Sequence, residues 1–209
     1  MKTKIEIVSG FLGSGKTSFI NSYLDTDICL EEKILVILLE KGVQNIRNDL
    51  NNIKVIYINK LEELKDTLLI EAKKQGYEKV IIEFNGTSNL SLVGEIFKDK
   101  QVRKSFNFYG SYYIGDSKNL DIYIKNLGEL IIPFIQSSKL IILNNFYLLQ
   151  VEKQKILIKN IEDINSIAPI LLSKNIDNLQ KELKLSKYFK DGMSIKKIKS
   201  LINKKEVVR

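Results

Sequence analysis

A three-layer α/β fold around a mainly parallel sheet is the architecture this sequence predicts, and three observations carry it. Apolar runs bounded by turn signals recur along the 209 residues. Stretches of helical periodicity alternate with them. The runs themselves are near-continuous Ile, Val and Leu, as in Ile34-Leu35-Val36-Ile37-Leu38-Leu39, which is what a strand needs when helices cover both faces of its sheet.

Taken in order, the strands are expected at Lys4 to Ser9, Lys33 to Leu39, Lys54 to Ile58, Lys79 to Glu83, Phe106 to Ile114, Lys139 to Leu143 and Pro169 to Leu172. A helix, Ser18 to Leu24, follows the first strand. The clearest later helix runs from Leu61 to Lys74, where Leu61, Leu64, Leu68, Leu69 and Ala72 form one stripe and Glu and Lys fill the opposite face. There is no internal repeat and no Pro/Gly-rich linker; the two prolines are Pro133 and Pro169. One boundary is marked near residue 180, dividing a body at 1–180 from a tail at 181–209. In the tail Ser194 can cap a short helix with Ile195, Ile198, Leu201 and Ile202 on one side, packing on the body.

Composition excludes several classes. Hydrophobic residues at 44% and charged residues at 28% are ordinary globular usage. No apolar run approaches the roughly 20 residues of a membrane span, and the opening Met-Lys-Thr-Lys-Ile-Glu lacks a signal peptide's apolar segment. A cytoplasmic protein that does not bind membranes is expected. With no histidine and Cys29 as the single cysteine, a disulfide framework, a zinc finger, a Ser-His-Asp triad and a Cys-His pair are all excluded. Cys29 reads as an ordinary half-buried residue between the first helix and the second strand. The net charge of +8 is concentrated at the end of the chain: residues 181–209 hold ten Lys/Arg against three Asp/Glu. Tyr188 and Phe189 are too few aromatics for a base-stacking platform, which argues against nucleic acid as a partner of that tail.

The chemistry lies in Gly10-Phe11-Leu12-Gly13-Ser14-Gly15-Lys16-Thr17. This is G-x-x-x-x-G-K-[ST], placed between the strand Ile5 to Val8 and a helix, the context that makes it a phosphate-binding loop. Gly10, Gly13 and Gly15 let the backbone wrap a polyphosphate, so that successive N–H groups and the helix N-terminus face its oxygens. Ser14 is small enough for the loop to close, Lys16 reaches the β and γ phosphates, Thr17 offers a hydroxyl to Mg²⁺, and Ser18 follows on the same turn. Phe11 and Leu12 need only be apolar. Glu83, at the C-terminal end of a buried strand, lies on the ligand side of a parallel sheet, where a carboxylate can orient a metal-bound water. Glu40 ends a neighbouring strand in the same way. Asp49 and Asp116 are weaker candidates, better read as surface or turn residues.

These segments resemble the CobW-like GTPases, relatives of the nickel-enzyme maturation GTPases HypB and UreG. Gly-Phe-Leu-Gly-Ser-Gly-Lys-Thr is nearly that family's phosphate loop. Leu39-Glu40-Lys41-Gly42 is similar to its Asn-Glu-Phe-Gly switch, and Ile81-Ile82-Glu83-Phe84-Asn85-Gly86 to its Glu-x-x-Gly motif, whose carboxylate acts near Mg²⁺ and whose glycine is Gly86 here. Leu143-Asn144-Asn145 falls where the family has Asn-Lys-x-Asp, and Asn165-Ser166-Ile167-Ala168-Pro169 resembles its Asn-Pro-x-Ala segment near the base pocket. The resemblance covers about residues 3 to 178 and implies a P-loop NTPase fold. Three departures stand out. The stretch near Ile58 to Glu62 has no cysteine where metal-handling members carry Cys-x-Cys-Cys. In the base-reading segment Asn144 is kept, but Asn145 replaces the lysine and Tyr147 the aspartate that pairs with guanine. The basic tail stands where longer members have a separate domain.

The functional expectation is a Mg²⁺-dependent nucleoside triphosphatase, a slow GTPase with ATP not excluded, in which Lys16 and Glu83 carry catalysis and Thr17, Glu40 and Glu83 hold the metal. It is expected to act as a nucleotide switch in metal-centre or cofactor maturation, with a protein partner or a second copy completing the site. The alternative is a non-hydrolysing nucleotide-binding scaffold or regulatory subunit with relaxed base specificity.

Overall fold

The computed structural model describes residues 2–26, 29, 32–39, 45–46, 51–74, 76–84 and 90–186. The expected tail helix, Gly86, Glu40 and Asp49 lie outside the described residues. Seven strands form one sheet: β1 (Thr3–Ser9), β2 (Ile34–Leu38), β3 (Ile53–Tyr57), β4 (Lys79–Glu83), β5 (Phe106–Asp116), β6 (Leu140–Asn144) and β7 (Ile170–Leu172). Their order is β3-β2-β4-β1-β5-β6-β7. Every pairing is parallel, which sharpens the expectation of a mainly parallel sheet. All seven expected strands are present, β4 with the expected ends and the others with no end displaced by more than two residues.

The helices are α1 (Lys16–Leu24), α2 (Glu63–Lys74), α3 (Leu90–Lys98), α4 (Lys100–Ser105), α5 (Leu120–Ser137), α6 (Val151–Ile164) and α7 (Ile176–Leu185), with a 3₁₀ turn at Phe146–Leu148. Parallel strands send alternate side chains to opposite faces. Val8, Val36, Ile81, Ile114 and Ile142 meet α1 and α7 on one face. Ile5, Ile7, Leu35, Val80 and Ile82 meet α2, α3 and α4 on the other, where Tyr113, Ile141 and Leu143 meet α5 and α6. The helix stripe is as expected, with Leu64 and Leu68 buried and Leu61, Leu69 and Ala72 partly so.

The polar face of α2 requires a correction. Glu71 is buried at 2% exposure and accepts from Lys54 Nζ at 2.8 Å, Lys74 Nζ at 2.6 Å and Tyr77 Oη at 3.1 Å. A carboxylate leaves water there because three donors meet it. The residue-180 boundary is also displaced. Residue 180 lies inside α7, Leu179 and Leu183 are buried against α1, and Gln180 Nε2 donates to Asp25 Oδ2 at 2.7 Å. The packed body therefore runs through Leu185.

Beneath α1 lies a polar cluster that hydrophobic patterning did not show. Glu6 on β1 is 1% exposed and accepts from Tyr23 Oη at 2.8 Å, Tyr112 Oη at 2.9 Å and Lys139 Nζ at 3.0 Å. Lys79, equally buried, bridges Glu32 at 2.6 Å and lies 3.5 Å from the sulfur of Cys29. Burial pulls the Glu6 carboxyl upward, but the charges of Lys139 and Lys79 and the Tyr23 hydroxyl outweigh it and hold Glu6 below the usual carboxylate range. Cys29 is fully buried, not half-buried, and burial pushes its thiol up, so it is a structural thiol.

Candidate nucleotide-binding site

The loop between β1 and α1 is built as its glycines require. Gly13 and Gly15 have φ of 75° and 101°, in the left-handed region that glycine enters without steric cost. Gly10 is fixed by space: a Cβ there would lie 2.2 Å from the Ile114 carbonyl oxygen on β5 and 2.7 Å from Ser14 Oγ. Gly15 caps α1, which begins at Lys16, two residues before the expected start, and Phe19 N–H donates to the Gly15 carbonyl at 2.8 Å. The loop thus delivers a helix N-terminus to the C-terminal edge of the sheet, beside the strand order reversal that places ligands in such folds.

Lys16 is 4% exposed and its amine donates to the carbonyls of Gly10 at 3.0 Å and Phe11 at 3.3 Å, folded back across the mouth of the loop. Ser14 Oγ is buried without a hydrogen-bond partner in the same loop. Thr17 Oγ1 donates to the Glu83 carboxylate, 3.1 Å from Oε2 and 3.3 Å from Oε1. The two residues are far apart in sequence and meet because β4 is the immediate neighbour of β1, with Val8 in register with Glu83. Glu83 is 3% exposed at the end of its strand. Ser18 is buried within the first turn of α1. A hydroxyl and a carboxylate are hard oxygen ligands of the kind Mg²⁺ takes alongside phosphate oxygens, so the residues present fit that ion. Among the described residues no group of three or more Asp, Glu, Cys or His could form a separate protein-only metal site.

Asn144 supports the loop from the other side. Buried at the end of β6, it donates from Nδ2 to the Ser14 carbonyl at 3.3 Å and accepts at Oδ1 from the Asn145 amide at 2.9 Å. Asn145 adopts a left-handed conformation, φ 57°, and donates to Asp116 Oδ1 at 3.0 Å. Asp116 is therefore more than a turn residue: it ends β5 in register with Asn144 and also accepts from Asn119 Nδ2 at 3.1 Å. Tyr147 is 53% exposed, with its ring edge-on to the buried Phe146. Ser173, at the end of β7, closes this border by accepting from the Phe146 amide at 3.0 Å.

Two sequence readings change. Phe11 is not a generic apolar loop residue, because its ring stacks on Tyr123 of α5 with centroids 4.1 Å apart. The Asn165 to Pro169 segment is not near the base pocket. It precedes β7, at the opposite edge of the sheet, where Asn165 Nδ2 donates to the carbonyls of Ile135, Gln136 and Ser138 and Oδ1 accepts from the amides of Ile167 and Ala168. Asn165 ties α6 to the end of α5. A short motif gives no strand direction, and direction decides which edge a segment occupies.

A parallel sheet, a glycine-rich loop opening a helix, and a paired hydroxyl and carboxylate at the loop's mouth define a P-loop nucleotide-binding protein. The model of the CobW/HypB/UreG nucleotide-binding domain matches residues 4–172, and the chain belongs to that family. Among solved structures, the Zn(II)-bound YjiA GTPase from E. coli superposes with a TM-score of 0.62 at 20% identity, covering 81% of this chain and 57% of that one. The hydrogenase maturation factor HypB from Archaeoglobus fulgidus gives 0.56 at 20% identity over 97% and 91%, and FtsY from Mycoplasma mycoides 0.56 at 18% over 90% and 68%. These likenesses establish the fold. The chain spans little more than half the length of YjiA. A search of curated protein sequences returned no match.

Proposed function

We propose that this protein is a Mg²⁺-dependent P-loop nucleoside triphosphatase, a slow GTPase whose nucleotide state switches its affinity for a protein partner in metal-centre or cofactor maturation. The observation that carries the reading is Thr17 Oγ1 lying 3.1 Å from the Glu83 carboxylate, beside the Lys16 amine that already crosses the loop. Thr17 and Glu83 would hold Mg²⁺, with Glu40 a further candidate carboxylate. Bound there, the ion neutralises charge on the β and γ phosphates.

The chain's own residues do the rest. The backbone amides of residues 13 to 18 bind the phosphate oxygens, and Lys16 exchanges its two carbonyl partners for the β and γ phosphates. Glu83 would orient the attacking water, whose oxygen bonds to the γ phosphorus as the bond to the β–γ bridging oxygen breaks. With no histidine and only three arginines in the chain, positioning is the main source of rate until a partner or a second copy adds a group. The likeness to the hydrogenase maturation factor HypB motivates the maturation role. The body through Leu185 would carry this activity, with the residues after it an accessory tail; a cytoplasmic location is consistent with no described helix being long and apolar enough to cross a membrane.

A nucleotide titration with GTP, ATP and their diphosphates, with and without Mg²⁺, followed by phosphate release, tests the reading. Lys16→Ala should remove most triphosphate affinity. Failure of the wild type to bind either triphosphate at millimolar concentration would overturn it. The second reading, a non-hydrolysing scaffold with relaxed base choice, is favoured by Tyr147 standing half-exposed where an acceptor for guanine is expected. Binding without phosphate release would select it.

A further inference from the structure

β5 is longer than its neighbour. It spans eleven residues and pairs with β1 from Phe106 to Tyr113, whereas pairing with β6 begins only at Tyr112 opposite Leu140. Among the described residues no strand lies beside Phe106 to Gly110 on the side away from β1. Exposure agrees with this. In a covered strand successive side chains alternate between faces, yet Asn107, Phe108 and Tyr109 are all exposed, the two aromatics by 48% and 55%. A bulge adds to the effect: Ile5 pairs with Phe108 and Glu6 with Gly110, so Tyr109 is the inserted residue that the pairing leaves out.

Sheet edges that must stay unpaired usually present charge or proline outward. This one presents two large aromatic rings. The nearest lysine, Lys139, crosses Gly110 and turns inward, its amine 3.0 Å from Glu6 and 4.1 Å from the Tyr109 ring centroid. The surroundings are cationic. Arg103 and Lys104, both exposed, stand in the last turn of α4 just before the strand, and residues 100–115 contain no Asp or Glu.

We infer that Phe106 to Gly110 is a docking edge for an extended, acidic segment of a partner protein, which adds as a strand beside β5. The outward main-chain groups of residues 107–110 supply the ladder, Phe108 and Tyr109 supply apolar contact, and Arg103 and Lys104 select carboxylates. The site lies at the opposite edge of the sheet from the phosphate loop, so partner and nucleotide can be held together. It does not depend on the nucleotide being hydrolysed.

The test uses the full chain and a capped decapeptide of alternating Val and Glu as probe, read by amide hydrogen exchange over residues 106–111 and by binding anisotropy. Outward amides of 107–110 should exchange fast in the free chain and slow by about tenfold or more with peptide. The same peptide N-methylated at alternate residues keeps its side chains and charge but loses ladder donors, and should not bind. The double variant Arg103→Glu/Lys104→Glu should weaken binding roughly tenfold. Four results would overturn the inference: slow exchange in the free chain, which would mean that the chain covers its own edge; no slowing at millimolar peptide; equal binding of the N-methylated peptide; or a single-stranded oligonucleotide protecting the segment where the peptide does not.

Discussion

Gly10 shows how much a single position decides. Its missing side chain is the gap through which the loop passes β5, and a methyl group would sit 2.2 Å from the Ile114 carbonyl oxygen. Gly10→Ala should therefore displace the loop and lower nucleotide affinity at least tenfold while the sheet stays folded, as circular dichroism and nucleotide titration would report. Glu83→Gln should leave binding largely intact and slow turnover by roughly a hundredfold, because the carboxylate's proposed work is on water and metal. Equal turnover would make Glu83 structural. At the base, Tyr147 offers no paired acceptor, so GTP and ATP should differ by only about tenfold, roughly 1.4 kcal/mol. The double change Asn145→Lys/Tyr147→Asp should raise GTP selectivity. A wild type already preferring GTP a thousandfold would sink that idea. Lysine at 145 must accept the left-handed φ of 57° but can still reach Asp116, now as an ion pair.

At the scale of elements, α1 connects the site to the rest of the fold. Its N-terminus holds Lys16 and Thr17, and its body is packed between the sheet and α7, where Leu183 is 0% exposed. Leu183→Ala should cost about 3 kcal/mol by leaving a cavity against α1, measurable by urea unfolding. Removing the chain from residue 181 would cut α7 in half and should be more harmful than removing it from residue 187. Comparable stability of the two truncations would show that the second half of α7 adds little. The Phe11 and Tyr123 stack joins the loop to α5 in a similar way, while α1 turns the positive end of its dipole toward the loop.

For the molecule as a whole, the buried ionic groups set how stability responds to pH. Glu6 and Glu71 are both held below the usual carboxylate range, in each case by lysines and tyrosine hydroxyls that overcome the opposing pull of burial. A depressed folded value means that the stabilisation is present above the ordinary glutamate value and is lost as pH falls through the folded one. Melting temperature should thus drop steeply below about pH 4. Glu6→Gln should flatten part of that drop. At neutral pH the same change should cost about 3 kcal/mol, because Lys79 and Lys139 lose a buried partner. An unchanged acid profile in the variant would show that Glu6 is not a source of the acid sensitivity.

Strand identity and the phosphate loop were legible along the chain because both are local. An Ile/Val/Leu run between turn signals has few alternatives to a covered strand, and glycines spaced as Gly10, Gly13 and Gly15 before Lys16 and Thr17 have one well-known use. Glu83 was legible for the same reason, since its place at a strand end follows from the run before it. What only the tertiary structure decided depends on which strands are neighbours and which way they point. β4 beside β1 brings Thr17 to Glu83, β5 beside β6 joins Asp116 to Asn145, and the direction of β7 moves Asn165 to the edge away from the site. Glu71 read as a surface charge in a linear pattern and Glu6 drew no notice, because nothing local reveals donors that arrive from other strands and helices. The overhang of β5 is of this kind too: its residues look like an ordinary strand, and its open side exists because β6 starts six residues later in the register.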